Sequence, residues 1–89
     1  MQGIYNKPLP MKEIQQHNKD RLLAVQSFLK WYRINSGLSQ KELSEYSGIH
    51  RNTIVRYESD TPQNLTVLTV FEIADALELD VNQIFLQIE

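Results

Sequence analysis

Residues 38–59 place a glycine between two short amphipathic segments, in the sequence LSQKELSEYSGIHRNTIVRYES. Ser39 and Glu42 match the S-x-x-E capping box, in which the two residues satisfy free N–H groups at the start of a helix. Gly48 follows soon afterwards and fits a turn that needs a positive φ angle. The stretch therefore predicts a short helix from Ser39, a tight turn at Gly48 and a second short helix over about residues 50–58.

Three further helical patterns flank this stretch, and no segment has the pattern of a strand. The first helix is expected to open near Asp20 and to end near Gly37, whereas Thr66 and Asp80 are the expected caps of the fourth and fifth helices. Each carries apolar residues at the spacing of one helix face. In chain order these residues are Leu22, Val25, Leu29 and Tyr32; Val67, Val70, Phe71, Ala74 and Leu77; and Val81, Ile84, Phe85 and Ile88. The fold class is therefore all-α, with five short helices.

The chain is expected to hold one folded domain, residues 20–89, behind an N-terminal extension, residues 1–19. A chain of 89 residues suffices for one domain with a modest core. Residues 1–10 contain two prolines, a glycine and no helical period, so they are expected to form an extended arm. The predicted core includes Leu43, Ile49, Ile54 and Leu77.

Composition argues against several functional classes. The absence of cysteine excludes disulfides and thiolate metal sites, and the two histidines lack partners at ligand spacing, so no metal or cofactor is expected. No apolar run approaches the roughly 20 residues that span a bilayer, which predicts a cytoplasmic protein with no membrane partner. The sequence offers no nucleophile–base pair, carboxylate dyad or phosphate loop, so an enzyme is not expected.

The net charge of −2 hides a strong segregation of charge. Residues 59–89 contain six acidic residues and no basic one, whereas residues 1–58 carry nine basic residues and five acidic ones. Such an arrangement lets one end of a small domain face a polyanion while the other end faces away from it.

Two short helices joined by a glycine turn form a helix-turn-helix, whose second helix can enter the major groove of DNA. Over about residues 22–86 the chain resembles the Cro/repressor-type, or XRE-family, helix-turn-helix proteins. The matching segments are, in order, LSQKEL, SGI, NTIVRYE, NLTVLTVFEIADALEL and VNQIF. The resemblance implies a five-helix repressor-like DNA-binding domain, with its helix-turn-helix at about residues 39–58. It implies sequence-specific binding of double-stranded DNA by a transcriptional regulator, expected here to be a repressor.

The resemblance also implies roles for individual residues. Arg51, Asn52 and Arg56 would read base edges, since arginine pairs with guanine and asparagine with adenine. Gln40 would contact a phosphate at the start of the second helix. The other expected contacts are Thr53 to a phosphate or a thymine methyl, His50 to the backbone, and Lys41 and Asn64 to phosphates. By itself such a helix face is more often only solvated surface, and it is the surrounding five-helix pattern that favours DNA binding.

Two structural expectations come from the same resemblance. The family commonly joins an arginine before the second helix to the glutamate that ends the third helix, and here these are Arg33 and Glu58. The family often has alanine and an aliphatic residue where Ser44 and Ser47 stand, so looser packing of the second helix is expected.

The chain is expected to act as a homodimer, because one recognition helix covers too few base pairs for a selective site. The fifth helix, with Leu86 outside its apolar face, is one candidate surface, and the N-terminal arm with Ile4 and Tyr5 is another. An alternative function is an antitoxin that binds its own operator and wraps a toxin protein with the arm. A protein-interaction module that has lost DNA binding is a third possibility, against which the retained site residues argue.

Overall fold

The computed structural model describes residues 10–88, which form five α-helices and a final turn of 3-10 helix. The elements are α1 (Met11–Asn35), α2 (Gln40–Ser47), α3 (Arg51–Tyr57), α4 (Val67–Ala76), α5 (Val81–Phe85) and the 3-10 turn (Leu86–Ile88). This part of the chain contains no strand, and the prediction of an all-α fold is confirmed. None of the helices within residues 10–88 is long and apolar enough to cross a membrane.

The first helix is longer than the sequence predicted. It begins at Met11 instead of near Asp20 and continues for 25 residues to Asn35, so the expected boundary between residues 19 and 20 falls inside one helix. The predicted start was wrong because residues 11–19 contain too few apolar residues to show a helical period. Extending an existing helix avoids the cost of nucleation, so such a segment can remain helical. Residues 1–9, with most of the predicted arm and with Ile4 and Tyr5, lie outside the described residues.

The predicted helix starts agree with the observed caps. Ser39 Oγ accepts from the Glu42 N–H at 3.0 Å, and Glu42 Oε1 accepts from the Ser39 N–H at 2.9 Å, which completes the capping box. The latter bond lowers the pKa of Glu42. Thr66 caps α4 and Asp80 caps α5. The Asp80 carboxylate accepts from the Asn82 N–H, two residues along the chain, at 2.9 Å.

Three helix ends use left-handed residues, and those of α1 and α4 share one hydrogen-bond motif. Gly37 follows α1 with φ 77°, and the Leu38 N–H closes that end by donating to the Arg33 carbonyl at 3.3 Å. α4 ends in the same motif, with the Leu79 N–H on the Ala74 carbonyl at 2.8 Å. Its left-handed residue is Glu78, at φ 54°, where a glycine would be expected.

The helices enclose one small apolar core. α2 packs against α3 and α4, and α1 packs against α5 and the 3-10 turn. The buried apolar residues are Leu29, Leu43, Ile49, Ile54, Tyr57, Ile73, Ala74, Leu77, Leu79 and Ile84. The four predicted core residues are among them. Because α2 and α3 share this core with α4, the helix-turn-helix is held as one rigid unit.

Candidate nucleic-acid interface

The exposed face of α3 carries the predicted base-reading residues. Arg51, Asn52 and Arg56 are exposed, and they share this face with Val55. The opposite side of the helix is formed by Ile54 and Tyr57, which are fully buried in the core. The i, i+1, i+4, i+5 spacing of the exposed residues puts them on one side of a helix. α3 thus presents two guanidinium groups, one amide and one apolar side chain to solvent.

Val55 was not recognised as a site residue from the sequence. Its side chain is 46% exposed although valine is apolar. Helix spacing could have predicted it, because Val55 lies four residues after Arg51 and three after Asn52, on the face already assigned to DNA. An exposed aliphatic side chain in that position is suited to contact a thymine methyl group.

The start of α3 is capped by a histidine side chain. His50 Nδ1 accepts from the Asn52 N–H at 3.1 Å, so His50 is the N-cap of α3. With Nδ1 as acceptor, the neutral ring carries its proton on Nε2. Nε2–H is therefore the group of His50 that is left to donate to a phosphate oxygen. Thr53, in the first turn of α3, is half-buried.

Two serines fix the turn between α2 and α3. Ser44 Oγ donates to the Ile49 carbonyl at 2.6 Å, and Ser47 Oγ accepts from the Ile49 N–H at 3.1 Å. Gly48 takes the left-handed conformation, with φ 76°, that the turn requires. The two hydroxyls thus satisfy the polar groups of the buried Ile49 backbone, and the expectation of looser packing at these serines stays a prediction.

A buried ion pair ties α1 to the end of α3, as the sequence predicted. Arg33 Nε lies 2.7 Å from Glu58 Oε2, and Arg33 Nη2 lies 2.8 Å from Glu58 Oε1. Arg33 Nη1 also donates to the Leu38 carbonyl at 2.6 Å. The hydrogen bond with Glu58 raises the pKa of Arg33. The guanidinium thus joins α1 to the α1–α2 connection and to Glu58, the residue that caps the end of α3.

Gln40 belongs to the same network. Its Nε2 donates to Glu58 Oε1 at 3.0 Å, which brings the start of α2 next to the end of α3. An amide nitrogen has two N–H groups, so one remains for a phosphate oxygen. The bond to Glu58 fixes the direction of that second donor. The predicted phosphate contact of Gln40 is compatible with this geometry and stays a prediction.

Two predicted phosphate-binding residues have less structural support. Lys41 is exposed in the first turn of α2, directly after Gln40. Asn64 is exposed in the segment between α3 and α4, outside the helix-turn-helix itself. The structure thus groups Lys41 with Gln40, whereas Asn64 lies on a separate element.

Gln26, on α1, holds the end of α3 and the segment after it in place, and this role was not predicted from the sequence. It is 1% exposed, and its Nε2 donates to the Tyr57 carbonyl at 2.7 Å and to the Thr61 carbonyl at 3.1 Å. Its Oε1 accepts from the Gln63 N–H at 2.7 Å. Gln26 follows Leu22 by four residues and so lies on the apolar face of α1. A polar residue in that position could have indicated a buried hydrogen-bonding role. This single amide fixes the chain immediately after α3.

The charge around the interface favours an anionic partner. Between residues 38 and 57, Lys41, Arg51 and Arg56 oppose Glu42 and Glu45, which gives +1. The Glu58 carboxylate is occupied by Arg33 and Gln40. The described residues after it, 59–88, hold five acidic residues and no basic one. Within this stretch the net positive charge thus lies on α3, which carries two arginines and no acid, whereas α2 carries Lys41 against two glutamates.

Comparison with known proteins agrees with this geometry. The family model described as Helix-turn-helix matches residues 29–84, which is more than half of the chain. No curated protein matches the chain at a significant level. The matched range begins in α1, includes the whole helix-turn-helix and ends within α5. The chain therefore belongs to the XRE, or Cro/repressor-type, family of helix-turn-helix proteins, which regulate transcription by sequence-specific binding to double-stranded DNA.

Proposed function

We propose that the protein is a repressor that binds its operator as a homodimer and reads the major groove with α3. The observation that carries the proposal is the single exposed face of α3, with Arg51, Asn52, Val55 and Arg56, on a helix whose other side is buried. Arg51 and Arg56 would pair with guanines, and Asn52 with an adenine. Val55 would supply an apolar contact to a thymine methyl.

Phosphate contacts would set the position of α3 in the groove. Gln40 and Lys41 lie at the start of α2, where free backbone N–H groups also favour an anion. His50 Nε2 and the Thr53 hydroxyl lie at the start of α3 and would donate to a neighbouring phosphate. Asn64 would contact the backbone from the segment after α3. These contacts orient the domain but carry no base information.

A dimer follows from the size of the interface, because one short helix reads only a few base pairs. Two copies would bind half-sites about 34 Å apart. Phe85 and Leu86, which are 50% and 57% exposed, supply apolar surface for pairing at the C-terminal end. A dimer that covers two half-sites would exclude other proteins from the same DNA, which is how it would repress transcription.

Selection of bound DNA from a random duplex library tests the proposal. The wild type should enrich one palindromic sequence. Arg51→Ala and Asn52→Ala should each weaken binding to it by about 1–3 kcal/mol and relax the preference at one position. Gln40→Ala should weaken binding evenly across sequences. Lys30→Ala, which removes an exposed charge on α1, is the control. Equal binding by Arg51→Ala, Asn52→Ala and the wild type would refute the role of α3.

An antitoxin is the second candidate. Trp31 and Ile34 are 57% and 53% exposed on α1, away from the face that contacts the core. Such apolar side chains are suited to a protein partner. Co-expression with the product of an adjacent gene tests this candidate. A stable complex that Trp31→Ala weakens, without changing DNA affinity, would favour the antitoxin over the repressor.

A further inference from the structure

The first three turns of α1 are exposed along their whole length. Every residue from Met11 to Arg21 is exposed, whereas α1 is packed against α5 and the 3-10 turn further along. The protein is elongated, with extents of 46, 23 and 20 Å, and α1 is the longest of its described helices at 25 residues. Its exposed apolar residues, Met11 and Ile14, would gain from burial against a partner.

The apolar side of this segment is symmetric about one residue. Met11, Ile14, Asn18, Leu22 and Val25 follow one another at spacings of three, four, four and three. At about 100° per residue, all five lie within about 40° of Asn18 around the helix. Leu22 and Val25 are half-buried and still present part of their surface. The spacing reads the same in both directions from Asn18, which is the requirement for pairing with an antiparallel copy of the same helix.

We infer that two copies of the chain pair through α1, antiparallel, with a two-fold axis at Asn18. In this arrangement Met11 of each copy faces Val25 of the other, Ile14 faces Leu22, and Asn18 faces its own symmetry mate. A symmetric dimer uses the same patch on both subunits, as this stripe allows. An asparagine amide can donate to and accept from an identical amide, and a polar pair of this kind fixes the register of paired helices.

An apolar groove lies directly beside this stripe. It has a volume of about 190 Å³, and its walls come from α1, the segment before α4, α4, α5 and the 3-10 turn. Leu22 and Val25 belong both to the stripe and to the groove, and Phe71, Phe85 and Ile88 form much of the remaining wall. Met11 and Ile14 of a second copy would therefore arrive at the open side of the groove. Each copy supplies the projecting residues and the groove that receives them.

Charge also favours a second copy as the occupant. Residues 11–21 carry Lys12, Lys19 and Arg21 against two acids, which gives +1. Residues 66–88, which supply α4, α5 and the 3-10 turn, carry four acids and no base. A helical segment of net positive charge would thus approach a segment of net negative charge on its partner. This inference rests on the homodimer proposed above, and it assigns the dimer surface to α1 and the groove instead of to α5 alone.

Cysteine crosslinking tests the axis directly, because the chain has no cysteine of its own. Asn18→Cys should form an intermolecular disulfide rapidly on mild oxidation, since facing Cα atoms of two packed helices come within disulfide reach. Gln16→Cys, about 200° away around the exposed helix, is the matched control and should crosslink at least tenfold more slowly. Equal rates for the two variants, or none for Asn18→Cys, would overturn the inference.

Introducing a charge at position 18 gives a second test, which does not need oxidation. Asn18→Asp and Asn18→Lys should each weaken dimerisation about tenfold or more, because like charges would face each other at the axis. An equimolar mixture should recover a heterodimer, detected as mass by light scattering. Asn18 is exposed, so neither variant disturbs the core.

The same mass measurement separates this inference from the proposed function. Variants that stay fully dimeric, and bind operator DNA normally, would leave the repressor proposal intact and place the dimer contact elsewhere, for example at Phe85 and Leu86. A monomeric wild type at tens of micromolar would overturn the α1 pairing together with the proposed dimer. Selection of a specific DNA sequence by that monomer would still support the role of α3.

Discussion

Arg33 and Glu58 form two parallel hydrogen bonds, of 2.7 and 2.8 Å, between the end of α1 and the residue that ends α3. Both residues are buried, with 8% and 6% of their surface exposed. Gln40 donates to the same carboxylate, so Glu58 is held by both helices that precede α3. The carboxylate thereby fixes the orientation of α3 relative to α1 and α2.

Removing one partner of this pair should strongly destabilise the protein. Arg33→Ala or Glu58→Ala leaves an uncompensated buried charge, and we expect each to lower the free energy of unfolding by about 3–5 kcal/mol. The double variant should lose less than the sum of the single ones. Urea denaturation of all four proteins measures the coupling. Additive losses would show that the two charges do not interact in solution.

Gln26→Leu should destabilise the segment that follows α3. The substitution keeps the size of the side chain but strands the Gln63 N–H and the Tyr57 carbonyl, for a loss of about 1–3 kcal/mol. Gln26→Glu should be worse, because a carboxylate accepts from Gln63 but repels both carbonyls. Thermal unfolding checks the order. A Gln26→Glu protein as stable as wild type would contradict the hydrogen-bond assignment.

Tyr57→Phe should leave stability unchanged or increase it by about 1 kcal/mol. The Tyr57 hydroxyl is buried and has no hydrogen-bond partner among the described residues, and burial raises the pKa of Tyr57. Removing an unsatisfied polar group from a core removes its desolvation cost while keeping the ring in place. Urea denaturation again gives the answer. A loss above 1 kcal/mol would mean that the hydroxyl is satisfied in solution.

Glu78→Gly should stabilise the protein by about 1 kcal/mol. Glu78 ends α4 with φ 54°, a conformation that costs an L-residue free energy and costs glycine almost none. Glu72→Gly, inside α4, is the matched control and should destabilise by about 0.5–1 kcal/mol. The shifts of the two melting temperatures should thus have opposite signs. A destabilised Glu78→Gly protein would show that the glutamate side chain matters more than its backbone strain.

Val55→Ala should lower DNA affinity without lowering stability much, because the side chain is nearly half exposed. If Val55 touches a thymine methyl, replacing that thymine by deoxyuridine in the selected operator should weaken wild-type binding. The same replacement should have no effect on the variant. Titration of both proteins with both duplexes completes the cycle. Independent, additive losses would remove Val55 from the base-reading face.

Local patterns in the sequence were sufficient to predict the helix-turn-helix. The Ser39–Glu42 capping box and Gly48 act between residues close in the chain, so their pattern predicts structure without knowledge of the fold. The exposed face of α3 follows from helix period alone. The Arg33–Glu58 pair joins residues 25 positions apart, and it was predicted only through the family resemblance.

The tertiary structure decided what depends on distant neighbours. Gln26 could be noticed as a polar residue on the apolar face of α1, but only the fold placed it against Tyr57 and Gln63, 31 and 37 positions away. The start of α1 at Met11 carried only a weak periodic signal, because Met11 and Ile14 are the only apolar residues between positions 11 and 21. Hydrophobic periodicity predicts a helix clearly only where several apolar residues recur on one face. The symmetric stripe around Asn18 gains meaning only beside the groove that α1, α4 and α5 form together.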